Sequence, residues 1–186
     1  MSTKQAELRS DKQGPEQSEP LRAFEDSVAI SLLRARETIM GCFRPLLAQH
    51  DMTEQQWRII RVLAEGKRME ITELAWQCCI LLPSMSGILK RLECRGLIQR
   101  TPDEADQRRV LMSLTEDGFL LVRRVDPKID ARQHRIEQAF GVDKTQQLHA
   151  LLAELESAVL PLLEQDEQIP AARRRQVEQV RKRLAN

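Results

Sequence analysis

The chain has 186 residues, with 29 Lys and Arg against 28 Asp and Glu and a formal charge of +1 at pH 7. That length suits one domain with a real core, and the near-balance of charge means that any cationic face for a polyanionic partner must be local. No apolar run reaches the roughly 20 residues that span a bilayer, no signal-like segment opens the chain, and Cys42, Cys78, Cys79 and Cys94 form neither CxxC pairs nor a disulfide framework. The expected setting is cytoplasmic and reducing, with no membrane contact.

Residues 1–25 are rich in Gln, Ser, Glu and Pro and poor in branched apolar residues, so they are expected to remain a disordered arm. From Asp26 the pattern turns helical through Val28, Ile30, Leu32, Leu33, Ile39 and Met40. Pro45 then removes a helical hydrogen bond and is expected to kink or end that helix. Thr53 and Gln56 fit a capping box, with Met52 and Trp57 in the flanking positions of a hydrophobic staple. A second helix is therefore expected from about Thr53 to Glu65, closed by Gly66. Met69 to Ile71 suit a very short strand, and Thr72 is placed to cap a third helix through TELAWQCC.

Beyond Ile80, Leu81 and Leu82 comes PSMSGILKRLECRG, in which Met85, Ile88, Leu89 and Leu92 repeat at helical spacing and make one buried face. Pro83 suits a helix start and Gly96 the position just past its end. The opposite face carries Ser84, Ser86, Gly87, Lys90, Arg91 and Cys94. Two short apolar runs follow, Leu97–Ile98 and Val110, Met112, Leu114, around the turn-prone Pro102, Asp103, Glu104, Ala105 and Asp106. This predicts a β-hairpin with Arg108 and Arg109 near its tip.

A bounded helix with a small, polar, cationic face, followed by an arginine-tipped hairpin, predicts a mainly α winged helix-turn-helix that binds double-stranded DNA. Ser84 and Ser86 can hydrogen-bond phosphates or base edges, Gly87 permits close backbone approach, and Lys90 and Arg91 supply cations. Asp106, two residues before Arg108, is expected to hold that guanidinium in a fixed fork, turning a mobile cation into a positioned ligand for a groove or phosphate.

Thr115 can cap a further helix, which Pro127 is expected to bend or interrupt, and Gly141–Val142 breaks the chain again. The last strong helix carries a narrow seam of Leu148, Leu151, Leu152, Leu155, Val159 and Leu162, which suits a partner helix. The segment 166–186 reads as a basic tail. His50, His134 and His149 lack the spacing of a metal site, so no metal and no cofactor is expected. Cys78 and Cys79 read as small core residues of the third helix. Enzymatic function has no support, since the chain holds no phosphate loop, nucleophile motif or paired-acid constellation.

The order of elements, with Asp106-Gln107-Arg108 followed by Leu114-Thr115-Glu116-Asp117-Gly118, closely resembles the MarR family of bacterial transcription regulators. LLRARE, FRPLL, MTEQQWRIIRVLAE, LAWQCCILLPSMSGILKRLE and RGLIQR are further similar to its homoprotocatechuate-operon repressor subgroup, which controls aromatic-acid catabolism. The resemblance covers residues 26–165. It implies a winged helix-turn-helix over about 53–115 and dimerisation helices over about 26–49 and 116–165. It also implies a homodimer on a pseudo-palindromic operator, its half-sites about 34–36 Å apart, and release by a small aromatic carboxylate. The resemblance places an effector pocket by the first two helices, where Arg36, His50, Trp57 and Arg58 are the candidate ligand residues; Arg36 beside Ile39 and Met40 offers a cation in an apolar slot. Two alternatives stay open, a thiol-based sensor using Cys42 or Cys94 and a helical protein-interaction adaptor.

Overall fold

The computed structural model describes residues 24–66, 68–104, 106 and 108–165; most of the expected N-terminal arm and the whole basic tail lie outside them. The chain divides into two compact units, Met1–Glu37 and Thr38–Asn186. Within the first, a 3-10 turn at Phe24–Asp26 precedes the opening turns of helix α1 (Val28–Ala48), and Arg34 donates to Glu25 at 3.3 Å. The second holds the remaining elements: α2 (Glu54–Leu63), β1 (Met69–Glu70), α3 (Ile71–Gln77), α4 (Leu82–Cys94), β2 (Ile98–Pro102), β3 (Val110–Leu114), α5 (Glu116–Phe140) and α6 (Val142–Gln165).

The capping box forms as expected. The Gln56 N–H donates to Thr53 Oγ1 at 3.2 Å while the Thr53 N–H donates to Gln56 Oε1 at 2.9 Å, satisfying two backbone donors that a helix start otherwise leaves open. Met52 and Trp57, the two staple residues, are both buried in the core. The helix stops at Leu63, two residues short of the expected end, and Gly66 follows at φ 78°.

The structure narrows two expectations and corrects one. Of the two outcomes expected at Pro45 and Pro127, ending the helix is excluded, because both lie inside continuous helices. Each removes one hydrogen bond, yet Phe43, Leu46 and Leu47 around the first and Val122 and Val125 ahead of the second are buried, and that burial outweighs roughly 3 kcal/mol of helix penalty. Thr72 does not cap α3: the helix begins at Ile71 with Glu70 as N-cap, because β1 runs straight into it. The expected hairpin of β2 and β3 forms, and the expected short strand β1 joins it in a three-stranded antiparallel sheet in the order β1-β3-β2. Pairing of Met69 with Met112 and Glu70 with Leu111 lays β1 beside β3.

The core forms where α2, α3, α4 and the sheet meet, with Ile59, Ile60, Leu63, Leu74, Met85, Leu89, Leu92 and Met112 almost wholly buried. Just past the end of α4 the chain turns at Gly96, φ 68°, with Gly96 N–H bonded to Glu93 O and Leu97 N–H to Leu92 O, a closure that needs a left-handed residue. Two similar corners use non-glycine residues, Asp51 at φ 52° and Cys79 at φ 51°.

The junction of β2, β3 and α5 explains Leu-Thr-Glu-Asp-Gly. Thr115 Oγ1 donates to Gly96 O at 2.5 Å and accepts from the Gly118 N–H at 3.1 Å. A Cβ on Gly118 would stand 2.2 Å from Leu97 O and 2.9 Å from Leu114 Cδ2, so only glycine lets the helix lie this close to the strand backbone. Gly118→Ala should therefore destabilise the fold by about 2–3 kcal/mol; urea unfolding followed by circular dichroism checks it, and an unchanged midpoint would show that the junction yields.

Candidate nucleic-acid interface

Helix α4 sorts its residues as its sequence pattern requires. Met85, Ile88, Leu89 and Leu92 are buried, while Ser84, Ser86, Gly87, Lys90, Arg91 and Cys94 are exposed or half-exposed on the other side. A Cβ at Gly87 would meet nothing nearer than Arg91 Nη1 at 3.8 Å. Glycine is therefore not required there by packing, although it costs a helix interior about 0.5–1 kcal/mol relative to alanine.

Beside this face lies an open groove of about 520 Å³, bounded by the Asp51–Gln56 corner on one side and by Gly87, Lys90, Arg91 and Arg95 on the other. Arg95, outside the set of residues expected from the sequence, builds the groove's end. Its Nη1 donates to Asp51 O at 2.7 Å and its Nη2 to His50 O at 3.3 Å, tying the end of α4 to the α1–α2 corner. The one signal for it in the sequence is its spacing, one helical turn beyond Arg91. Arg100 Nε reaches Glu93 Oε1 at 2.6 Å and ties β2 to α4 in the same way.

The wing departs from expectation in the role of Asp106. Its Oδ1 accepts from the backbone N–H of Arg108 at 3.0 Å, and not from the guanidinium, so it shapes the turn and not the cation. Arg109 N–H donates to Asp106 O at 2.8 Å and Asp103 N–H to Arg109 O at 2.9 Å, closing the loop. The two arginines then separate in role. Arg109 Nε pairs with Glu70 of β1, and its Nη1 lies 3.6 Å from Asp103; the hydrogen bond and charge of Glu70 hold its guanidinium above the usual range. Among the described residues no carboxylate pairs with the Arg108 side chain, which is exposed.

The four candidate ligand residues are engaged separately. Trp57 is buried in the core. Arg58 Nη1 donates to Cys78 O at 2.6 Å, filling a carbonyl left open at the end of α3. Nε2 of His50 is 3.4 Å from Lys128 Nζ. Arg36, in the first unit, is exposed and lies 2.6 Å from Glu37 Oε1. A smaller depression of about 310 Å³ sits beside Leu46, lined by Lys128, Ala131, Arg132 and Arg135 of α5. Arg132 Nη1 donates to Cys42 O at 3.0 Å.

A model of the MarR family matches residues 52–110, the span from the staple methionine to the first residue of β3. The homoprotocatechuate degradative operon repressor of Escherichia coli is 46% identical over 129 residues, which is 69% of this chain and 87% of that protein. The chain belongs to the MarR family. The structure of NadR in complex with 4-hydroxyphenylacetate is 45% identical, covers 74% of this chain and 97% of its own, and superposes with a TM-score of 0.64. CouR bound to a 23-mer DNA duplex is 26% identical, with a TM-score of 0.64 over 70% of this chain and 93% of its own. The MarR fold is the winged helix expected from the sequence, and no helix of the described residues is long and apolar enough to cross a membrane.

Cys79 is not the core residue its neighbour is. It stands exposed in the turn after α3, whereas Cys78 is buried and its thiol is pushed up to about 12 by burial, with nearby Arg58 opposing. The folded state therefore keeps this proton where the unfolded chain, near its ordinary 9.0, loses it. The resulting stability is fully present below pH 9 and falls away as pH rises toward 12. Alkylation at about pH 8, below the ordinary thiol range, with iodoacetamide and peptide mapping should modify Cys79 and Cys94 and spare Cys78; rapid labelling of Cys78 in the folded protein would contradict its burial.

Proposed function

We propose that the protein is a cytoplasmic, non-enzymatic repressor that binds a pseudo-palindromic operator as a homodimer and lets go when an aromatic acid binds. One observation carries the DNA reading: α4 sets a small, polar, cationic face in solvent directly opposite its buried face, in the position of the second helix of a helix-turn-helix. In this reading Ser84, Ser86 and Gly87 meet base edges or phosphates, Lys90 and Arg91 meet phosphates, and Arg108 enters the neighbouring groove or touches the backbone. Gly87 supports it, because its missing side chain serves no packing need inside the fold. Arg109 and Asp106 belong to the same surface as the residues that hold the wing in shape. The similarity to CouR, solved on DNA, adds support.

The dimer reading rests on α6, where Leu151 and Leu162 are more than 60% exposed and Leu148 and Val159 about 40%, a cost of solvation that a partner helix removes. The effector reading rests on kinship with the homoprotocatechuate operon repressor and with NadR, solved with 4-hydroxyphenylacetate. Arg36 is the proposed carboxylate ligand; Trp57 and Arg58 act through the shape of α2, and His50 through its neighbour Lys128.

Arg108→Ala should weaken operator binding and flatten its salt dependence, by about one unit of the log–log slope for each phosphate that is no longer neutralised. Anisotropy titrations from about 50 to 300 mM salt measure both, and an unchanged slope removes Arg108 from the interface. Addition of 4-hydroxyphenylacetate should lower the affinity of the wild type for its operator. Arg36→Ala should keep that affinity and lose the response, since an effector acts only through its different affinities for the free and DNA-bound states. If Arg36→Ala responds normally while Lys128→Ala does not, the acid sits in the depression on α5 instead.

A further inference from the structure

The three apolar residues that lead into α4 meet different fates. Ile80 is buried, Leu82 is half-buried and Leu81 is 72% exposed, the most exposed large apolar side chain among the described residues. Leu81 is also the N-cap of α4, at φ −67° and ψ 137°, and makes no side-chain capping hydrogen bond. Ser, Thr, Asp or Asn at such a position accepts from the helix N–H groups and stabilises the helix, whereas leucine is among the poorest caps. The chain thus forgoes a cap and sets an isobutyl group in water, two choices that both work against folding.

The place of Leu81 says what compensates. It stands exposed at the N-terminal end of α4, ahead of the exposed Ser84, Ser86, Gly87, Lys90 and Arg91. The first turn of the second helix in a helix-turn-helix is the part that reaches base edges. In the major groove adenine, guanine and cytosine present hydrogen-bonding atoms, and the one apolar feature available is the 5-methyl group of thymine. A protein partner is the poorer fit, because the exposed residues that follow in α4, Ser84, Ser86, Gly87, Lys90 and Arg91, are small, polar or cationic, as suits a nucleic acid.

We propose that Leu81 is a specificity-determining residue that packs on the 5-methyl group of a thymine in each operator half-site. This rests on the reading of α4 as the helix that enters the major groove. The contact joins apolar to apolar, so it adds sequence preference without neutralising a phosphate, and it leaves the salt dependence of binding unchanged.

The test uses the full chain and a duplex that the wild type selects from a random-sequence pool, prepared once with thymine and once with deoxyuridine throughout. The wild type should bind the deoxyuridine duplex more weakly, by roughly fourfold per half-site for one buried methyl group. Leu81→Ala should bind the thymine duplex more weakly than the wild type does, with the same salt slope, and should no longer distinguish the two duplexes. Its thermal midpoint should match the wild type, since the side chain touches little of the fold. Single deoxyuridine replacements should then trace the penalty to one thymine per half-site. Equal binding of both duplexes by the wild type, or an undiminished deoxyuridine penalty in Leu81→Ala, overturns the inference while the DNA reading stands. A pool from which no duplex is enriched overturns both.

Discussion

The close approach of α5 to the strand backbone is the constraint on which the rest of the winged helix depends. Thr115 sits between Gly96 O and the Gly118 N–H, so one hydroxyl fixes the end of α4 and the start of α5. The Thr115 N–H donates to Leu97 O at 3.2 Å as well, which sets β3 against the entry to β2. Each bond alone is worth about 1 kcal/mol. Together they register α4, both long strands of the sheet and α5 at one point, with no room even for a methyl group on Gly118. A helix registered in this way presents its exposed face at a fixed angle to the wing.

Charge is sorted by the same architecture. The whole chain is near neutral, yet its carboxylates are placed selectively: Glu70 and Asp103 hold Arg109, Glu93 holds Arg100, and Asp126 holds Arg61 at 2.8 Å. These pairs are partly exposed and each contributes little to stability. Their effect is positional, since they anchor the arginines that brace one element against another. Lys90, Arg91 and Arg108, which no described carboxylate engages, are left on the exposed side. A global charge of +1 is therefore compatible with a strongly local positive surface.

The braces also define how the helices beyond the wing connect to it. Arg61–Asp126 joins α2 to α5, and Arg132 joins α5 to α1 through Cys42 O. The α1–α2 corner is joined in turn to the end of α4 by Arg95. These braces form a series of side-chain contacts that links α5, α2 and α1 with the C-terminal end of α4. A ligand shifts such a series only by binding two of its arrangements with different affinity.

The local structure of this protein was legible in its sequence wherever a short-range rule decides. The Thr53–Gln56 capping box, the 3.6-residue periodicity of Met85, Ile88, Leu89 and Leu92, and glycine after α4 each act within a few residues, and each appears where the pattern requires. The family motif was equally legible, because Asp106 and Leu114–Gly118 are close together in the chain. Tertiary structure decided what depends on distant partners. Burial carried two helices through Pro45 and Pro127, a two-residue strand paired with β3 and drew Glu70 to Arg109, and the Asp106 carboxylate turned to the backbone of Arg108. The candidate effector residues diverged most, because Trp57 and Arg58 are adjacent in sequence but face the core and the end of α3. Local hydrogen bonding and periodicity are encoded over a turn or two, whereas the choice among possible partners for a carboxylate or a guanidinium is made only when remote segments meet.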